Sequence, residues 1–546
     1  MLTSRRFCRD RARYSTRPRG IRGGSRSGRP VKPYDYEGVN DPGAVEVFDG
    51  STRHGETPTH PERLVSFRPL DPTNRPRPFK VYPDLEPVLL PRQIFRSSCA
   101  ASDVLSGRPG PPAELGDELL GTLLFLAAGV TRFTARDDER VWFRAAMSAG
   151  NLHPVEIYVV RSGVHHYQPL EHALVTLRRP DEVPQVGPGA ALVLSGIPFR
   201  TCWKYRERGW RHQWWDAGTI LANLLAVAAA HGVAARVQAG FADDTVAELV
   251  GIDGVEELPL VVVELGEAHL VMPPAGSLDP LLIPSPPVAL RVLRFPLADE
   301  AHAAGVLIDE AVAAWREGAR AVSRSAPTQV DALAGTEQAQ RIEDVILQRG
   351  STRVFRAGRA STELLEWALP AAARAVPLDA APAGTLIEHL VNVHDVEGVE
   401  PGGYRYTSDG GFEAKVRVAD PRAAGAGLCL GQPLGGDSAY TAFHAVELSP
   451  LLGALGARGY RAALLEAGIV AGRLALNAFA LGGGATGLTF YDGRVSRYLR
   501  SEASPLLATA IGMPDTHPAP SGTPGRPAQL RGYGNVMNRL ASRLTN

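Results

Sequence analysis

Two hydrophobic periods alternate along this chain. Short apolar runs rich in β-branched and aromatic residues, Ile157 to Val160, Ala191 to Gly196 and Leu258 to Gly266, are bounded by turn residues and predict strands buried in a sheet. A further strand is expected to end at Val164-His165-His166-Tyr167. The runs Leu115 to Val130 and about Trp214 to Ala230 are apolar and longer, so they predict core helices, the second closed by the cap-like His231-Gly232. Helical patterns return from Ala303 to Val322 and from Gln329 to Leu347. Two proline-crowded stretches interrupt the pattern. His54 to Pro91 is expected to run extended over a surface without a core of its own, and about Val271 to Pro296 reads as a semi-rigid linker.

The helical pattern repeats. Arg206 to Gly232 and Gly456 to Gly483 align without gaps, so that Arg208, Gly209, Arg211, Gly218, Leu224 and Gly232 fall on Arg458, Gly459, Arg461, Gly468, Leu474 and Gly482, each 250 residues on. Trp210 meets Tyr460 and Asp216 meets Glu466. Two Ala/Leu-rich helices aligned by chance would match alanines, not three glycines, two arginines, an aromatic and an acid. The spacing predicts a duplicated domain, which suits a chain of 546 residues.

Charge narrows the partners. The 58 basic and 58 acidic residues cancel, so nothing global points to nucleic acid or an acidic membrane surface, and no apolar run reads as a membrane span. Cys8, Cys99, Cys202 and Cys429 lie far apart without a CxxC pair, and the histidines of His54 to His60 lack metal-ligand spacing; neither a metal site nor a disulfide framework is expected. A cytoplasmic protein is the expectation. The first thirty residues carry ten arginines against Asp10, which predicts a disordered basic tail; a mitochondrial transit peptide is the alternative.

The chemistry concentrates around FRAAMSAGNLHPVEIYVV, Phe143 to Val160. Ser148, Gly150 and Asn151 make a turn of small side chains before a strand, where a planar, oxygen-rich ligand could reach the backbone. With it stand Trp203-Lys204-Tyr205 before the helix. The second half offers RGSTRVF, with Arg349, Ser351 and Arg353, and the glycine-rich GGGATG, Gly482 to Gly487. Together these pieces resemble the FMN-dependent nitroreductase superfamily, nearest its azoline dehydrogenase branch, which oxidises thiazoline and oxazoline rings in modified peptides. Members of that superfamily are usually homodimers of α+β subunits that hold FMN between them. Here the resemblance implies two fused nitroreductase-like domains forming an intrachain pseudodimer.

What each half keeps is unequal. The Arg-x-Ser-x-Arg motif stands only in the second half, where guanidinium forks suit a phosphate; the first half reads RSSCAAS around Cys99. The serine turn stands only in the first half, with Met147 in place of the family's usual proline; the second reads PAGTLIEH around Ala383. One composite FMN site is expected, with Arg349, Ser351, Arg353, Ser148, Gly150, Asn151, Gly484, Ala485, Thr486 and Gly487 around the cofactor. By the resemblance Lys204 and Tyr205 carry catalysis, since ring oxidation needs a base for a carbon-bound proton and a hydride acceptor. Ala454 and Leu455 occupy their places in the repeat. The boundaries expected are a tail over 1–35, an extended segment over 36–90, domains over 91–268 and 336–515, a linker with a helix over 269–335, and a C-terminal tail over 516–546. The substrate class is a small heterocyclic or peptide-derived molecule. The alternatives are an NAD(P)H-dependent nitro or quinone reductase and a flavin-free binding scaffold.

Overall fold

The computed structural model describes residues 40–65, 69–136, 139–333 and 340–530, and the expected basic tail over 1–35 lies outside them. Two sheets carry the architecture, one from each half. The first has seven strands in the order Pro87–Leu89, Ala173–Arg178, Val164–Gln168, Val155–Val160, Gly189–Gly196, Leu258–Gly266 and Ala235–Gln238, antiparallel throughout. The second has six, with Glu388–Val393 and Tyr440–Val446 at its centre and Gly484–Leu488 at one edge. A small three-stranded sheet holds Val130–Arg136 and Glu139–Arg144. The pieces that position the site are the strands β1 (Glu139–Arg144), β2 (Val155–Val160), β3 (Ala235–Gln238), β4 (Glu388–Val393) and β5 (Gly484–Leu488). With them go the helices α1 (Pro42–Thr52), α2 (Arg211–Ala230), α3 (Asp243–Val250), α4 (Leu448–Ala480) and α5 (Asp492–Leu499).

Helices α2 and α4 are buried nearly all round and pack along one another at the centre of the main core. Their closest approach falls on the glycines matched by the repeat. A Cβ on Gly218 would lie 2.5 Å from the Leu465 carbonyl oxygen, and one on Gly468 would lie 2.5 Å from that of Trp215. Leu465 aligns with Trp215, so each helix meets the other through the same atoms, which is the signature of a two-fold contact. The ion pairs repeat it. Arg208 reaches Asp492 at the start of α5 at 3.1 Å, while Arg458 reaches Asp243 at the start of α3 at 2.6 Å. All four groups are buried, so losing one partner would strand a charge inside the core. Helix α4 is long and apolar enough to cross a membrane by length and composition alone, but its most apolar window is fully buried in the protein.

Several boundaries differ from the sequence reading. The segment expected to be extended over 36–90 begins with α1, capped by the Asp41 side chain, whose Val45 and Phe48 are buried in the core and whose Asp49 takes Tyr460 and Arg211. Its few apolar positions find a partner surface on α4 that local composition does not reveal. The helix expected over 303–322 is two, Pro296–Ala304 and Asp309–Val322, and Trp315 of the second donates to the Leu455 carbonyl. The described part of the expected C-terminal tail crosses to the first half: Arg132 donates to the Ala519 carbonyl, and Ala528–Gln529 pairs with Val130–Arg136. GGGATG is a turn only at Gly482-Gly483; from Gly484 it is a strand, paired with Ser504–Gly512.

Candidate functional site

A cavity of about 650 Å³ opens where the two halves meet. From the first half it is lined by Ser148, Gly150 and Asn151 of the turn between β1 and β2, by Lys204 and Tyr205, and by one side of α2. The second half contributes Ser351, Arg353, Thr486 and Gly487. Nine of the twelve residues singled out in the sequence therefore share one wall system. Arg349, Gly484 and Ala485 do not line it. The Arg349 guanidinium is buried and donates to the Ala145 carbonyl, three residues before Ser148, and burial together with Arg132 pushes its pKa down to about 9. Gly484 and Ala485 are spent on the strand ladder, where Ala485 also bridges Ser351.

The turn is built by its own side chains. Ser148 Oγ donates to Asp216 at 2.5 Å and accepts from the His153 amide, while Asn151 donates to the Trp142 carbonyl and its Oδ1 meets His153 Nε2. The hydroxyl and amide that the sequence offers to a ligand are thus committed to holding the turn, which leaves its backbone facing the cavity. Gly150 has φ +61°, and a Cβ there would sit 2.7 Å from the Tyr205 hydroxyl and 3.2 Å from Lys204 Nζ. Both functional groups are therefore aimed at this glycine. Burial and then the nearby Arg353 and Arg75 lower the Lys204 pKa, whereas burial pushes the Tyr205 phenol up to about 12.

Sequence reasoning missed His54, Arg75 and His212 as lining residues; Trp215, read as core packing or as a cavity wall, lines the cavity too. His212 stacks on Tyr205 with centroids 4.5 Å apart, and burial with Arg208 and Arg211 holds its pKa well below the usual value. One signal was available for His212 and Trp215: the repeat places Ala462 and Leu465 there, so the scaffold positions match while the cavity-facing ones diverge.

Asp216 is buried and its carboxyl is pushed up to about 7, because desolvation outweighs the donors Ser148 and Ala149 and the charge of Arg144. Glu466 repeats this arrangement with Thr385 Oγ1 at 2.5 Å and the Leu386 amide, and burial likewise pushes it up to about 7. Between about pH 4 and 7 the native state keeps a proton that the unfolded chain has released, so stability falls as pH rises through that window and levels off above it. Asp216→Asn is expected to flatten this decline by up to about 1.4 kcal/mol per pH unit. Urea unfolding of parent and variant at several pH values measures it, and parallel profiles would contradict it.

The equivalent place in the second half is crossed by backbone pairing and keeps a groove of about 620 Å³ lined by Arg236, Gln238, Asp379 and Gly384. The segment leading into the Thr385 turn, as β1 leads into the Ser148 turn, lies directly on β3: the Val237 amide donates to the Pro377 carbonyl at 2.8 Å and the Asp379 amide to that of Val237 at 3.0 Å. The Asp379 carboxylate then accepts from the Ala239 and Gly240 amides and from Arg316. In the open cavity β1 and β5 stand apart, and Val141, Phe143 and Gly487 line the space between them.

Comparison with known proteins bears on this geometry. Residues 110–267 match the family model described as Nitroreductase family. The chain carries a nitroreductase-family domain. "Putative nitroreductase MJ1384" of Methanocaldococcus jannaschii is 28% identical over 200 residues, covering 33% of this chain and 90% of that protein. The Microcin B17-processing protein McbC of Escherichia coli is 30% identical over 145 residues, 22% of this chain and 53% of that protein. A crystal structure of a nitroreductase homologue from Anabaena variabilis superposes with a TM-score of 0.64 at 23% identity, over 86% of this chain and 99% of that one. The nitroreductase-like α+β fold thus extends well beyond the matched domain. That domain supplies the serine turn, Lys204, Tyr205 and α2.

Proposed function

We propose that the protein is an FMN-dependent oxidoreductase with one composite site in an intrachain pseudodimer, its two nitroreductase-like domains spanning about 91–268 and 336–515. The observation that carries the reading is the cavity joining the Ser148 turn, Lys204 and Tyr205 of one half to Ser351, Arg353, Thr486 and Gly487 of the other. The lack of the Ser148-type turn and of the Arg-x-Ser-x-Arg motif at the equivalent place on β3 supports one cofactor per chain.

The residues present suit FMN. Arg353 offers a guanidinium in the cavity, and Ser351 lines it beside Arg353. Gly487 has no side chain to fill the wall, so a flat ring can lie against its backbone. FMN, when bound, supplies a two-electron acceptor for the oxidation. Lys204, with its pKa lowered, serves as the base for a carbon-bound proton on a substrate over Gly150; Tyr205 stays protonated and donates a hydrogen bond to that substrate. The likeness to McbC favours a peptide-derived heterocycle as substrate. The likeness to the M. jannaschii protein favours a second reading, a reductase that consumes a reduced nicotinamide.

The purified protein is expected to be yellow, with close to one FMN per chain by extraction and absorbance. Arg353→Ala is expected to weaken FMN about tenfold or more, the scale of a lost charge-assisted hydrogen bond. A well-folded, colourless protein that takes up no added FMN would make the chain a binding scaffold instead. Anaerobic mixing with NADPH separates the two enzyme readings: rapid bleaching favours the reductase, inertness the dehydrogenase.

A further inference from the structure

The two sheets can be laid on one another strand by strand. In the first, Leu194 pairs with Ile157 of β2, and a bulge follows at Leu194/Ser195 opposite Pro259. In the second, His444 pairs with His389 of β4, and the bulge follows at His444/Ala445 opposite Pro505. On the same side of the bulge Val263 pairs with Leu192, as Thr509 pairs with Ala442. Ile157, Leu194 and Val263 therefore stand where the second sheet has His389, His444 and Thr509, and all six are buried.

The three polar residues form one hydrogen-bonded row. His444 Nε2 meets Thr509 Oγ1 at 3.1 Å, and its Nδ1 meets His389 Nδ1 at 3.0 Å. The row ends at the cavity: Leu507 and Thr509, alternate residues on one strand face, both line it, whereas Ala508 and Ala510 pack in a separate core on the other face. Across the sheet Thr509 pairs with Gly487, on the wall left free for a flat ring. Burial holds both imidazoles below the usual histidine range, His389 down to about 3. Each is thus neutral, with one ring nitrogen carrying a proton and the other free to accept one. The first sheet packs the same places with apolar side chains, so the fold itself does not require a buried polar row here.

We propose that Thr509, His444 and His389 form a proton relay with its mouth on the cavity. A proton arriving at Thr509 Oγ1 sends the hydroxyl proton to His444 Nε2; His444 passes its Nδ1 proton to His389 Nδ1, and His389 releases its Nε2 proton to water. The reverse order delivers a proton to the cavity, and no electrons move along the row. The inference rests on the oxidoreductase reading for the use of these protons. Taking an electron pair and protons from a substrate, and giving both to dioxygen to make hydrogen peroxide, moves protons through the cavity.

Exchange of histidine ring protons, read by NMR on isotope-labelled full-length protein without added FMN, tests the mouth. In His389→Ile, Thr509 is the remaining partner of the His444 ring, and adding Thr509→Val is expected to slow exchange of the His444 ring proton about tenfold or more; a rate within about twofold would overturn the relay. The triple variant Thr509→Val, His444→Leu, His389→Ile copies the first sheet, so it is expected to melt no lower than the parent. Melting well below the parent would make the row a structural support and overturn the proposal as well. Loaded with FMN and photoreduced, the triple variant is expected to keep its flavin and to reoxidise in air about tenfold more slowly than the parent. An unchanged rate would overturn the relay's part in turnover. A parent that takes up no FMN sinks the flavin reading alone, because the exchange is read on unloaded protein and still decides the relay.

Discussion

Lys204→Ala is expected to lower turnover by roughly 10²–10⁴, the range set by removing a positioned base, while FMN content stays near that of the parent. The amine stands at the cavity against Gly150 and takes no part in the Ser148, Asn151 and His153 hydrogen bonds that hold the turn, so its loss should leave the fold intact. Its pKa is lowered by burial first and by Arg353 and Arg75 next. The rate should therefore rise with pH as the amine loses its proton, with a midpoint below the ordinary lysine value of 10.5. Lys204→Arg should not rescue it, because a guanidinium keeps its proton throughout. Stopped-flow measurement of flavin reduction by the accepted substrate checks both expectations. A pH profile unchanged in Lys204→Ala would remove the lysine from the chemistry.

Gly218→Ala is expected to be strongly destabilising. The added carbon would meet the Leu465 carbonyl at 2.5 Å and the Gly468 backbone at 2.6 Å, and neither can swing aside as a side chain would. Overpacking of this kind costs about 1–3 kcal/mol or more. Gly468→Ala should cost a similar amount, since its methyl would meet the Trp215 backbone in the same way. Combined, the two should cost less than their sum, because the first already forces the helices apart. Urea unfolding of the two single variants and the double gives the coupling; strict additivity would mean the glycines do not share one contact. The cavity lies between the same halves, so FMN affinity should fall alongside stability.

The strongly periodic elements were legible in the residues. Leu258–Gly266 is the strand its apolar run predicts, and α2 begins three residues earlier than the periodic run suggests. Segments without a period were misread. α1 buries one narrow stripe against α4, so proline content outweighed it in the local pattern, and the strand Gly484–Leu488 hides in glycines that signal a turn.

The candidate site divides in the same way. Ser148, Lys204, Tyr205 and Arg353, singled out as polar, chemically able residues beside predictable elements, line one cavity. Arg349 was placed in the site by the same motif, yet its guanidinium lies inside the protein on the Ala145 carbonyl. A motif specifies which groups are near one another; which of them face solvent depends on packing.

The sequence by itself determined the repeated spacing shared by α2 and α4, the two central helices and the unequal motifs on either side of them, because spacing and residue type carry that information locally. Only the tertiary structure decided that Pro377 to Asp379 lie on β3 at one of the two equivalent places, while the other is an open cavity between β1 and β5. It alone also showed that His54 and Arg75 come from the N-terminal segment into the open one. The physical reason is that this contact rests on backbone hydrogen bonds between segments more than a hundred residues apart, and backbone groups are the same in every sequence.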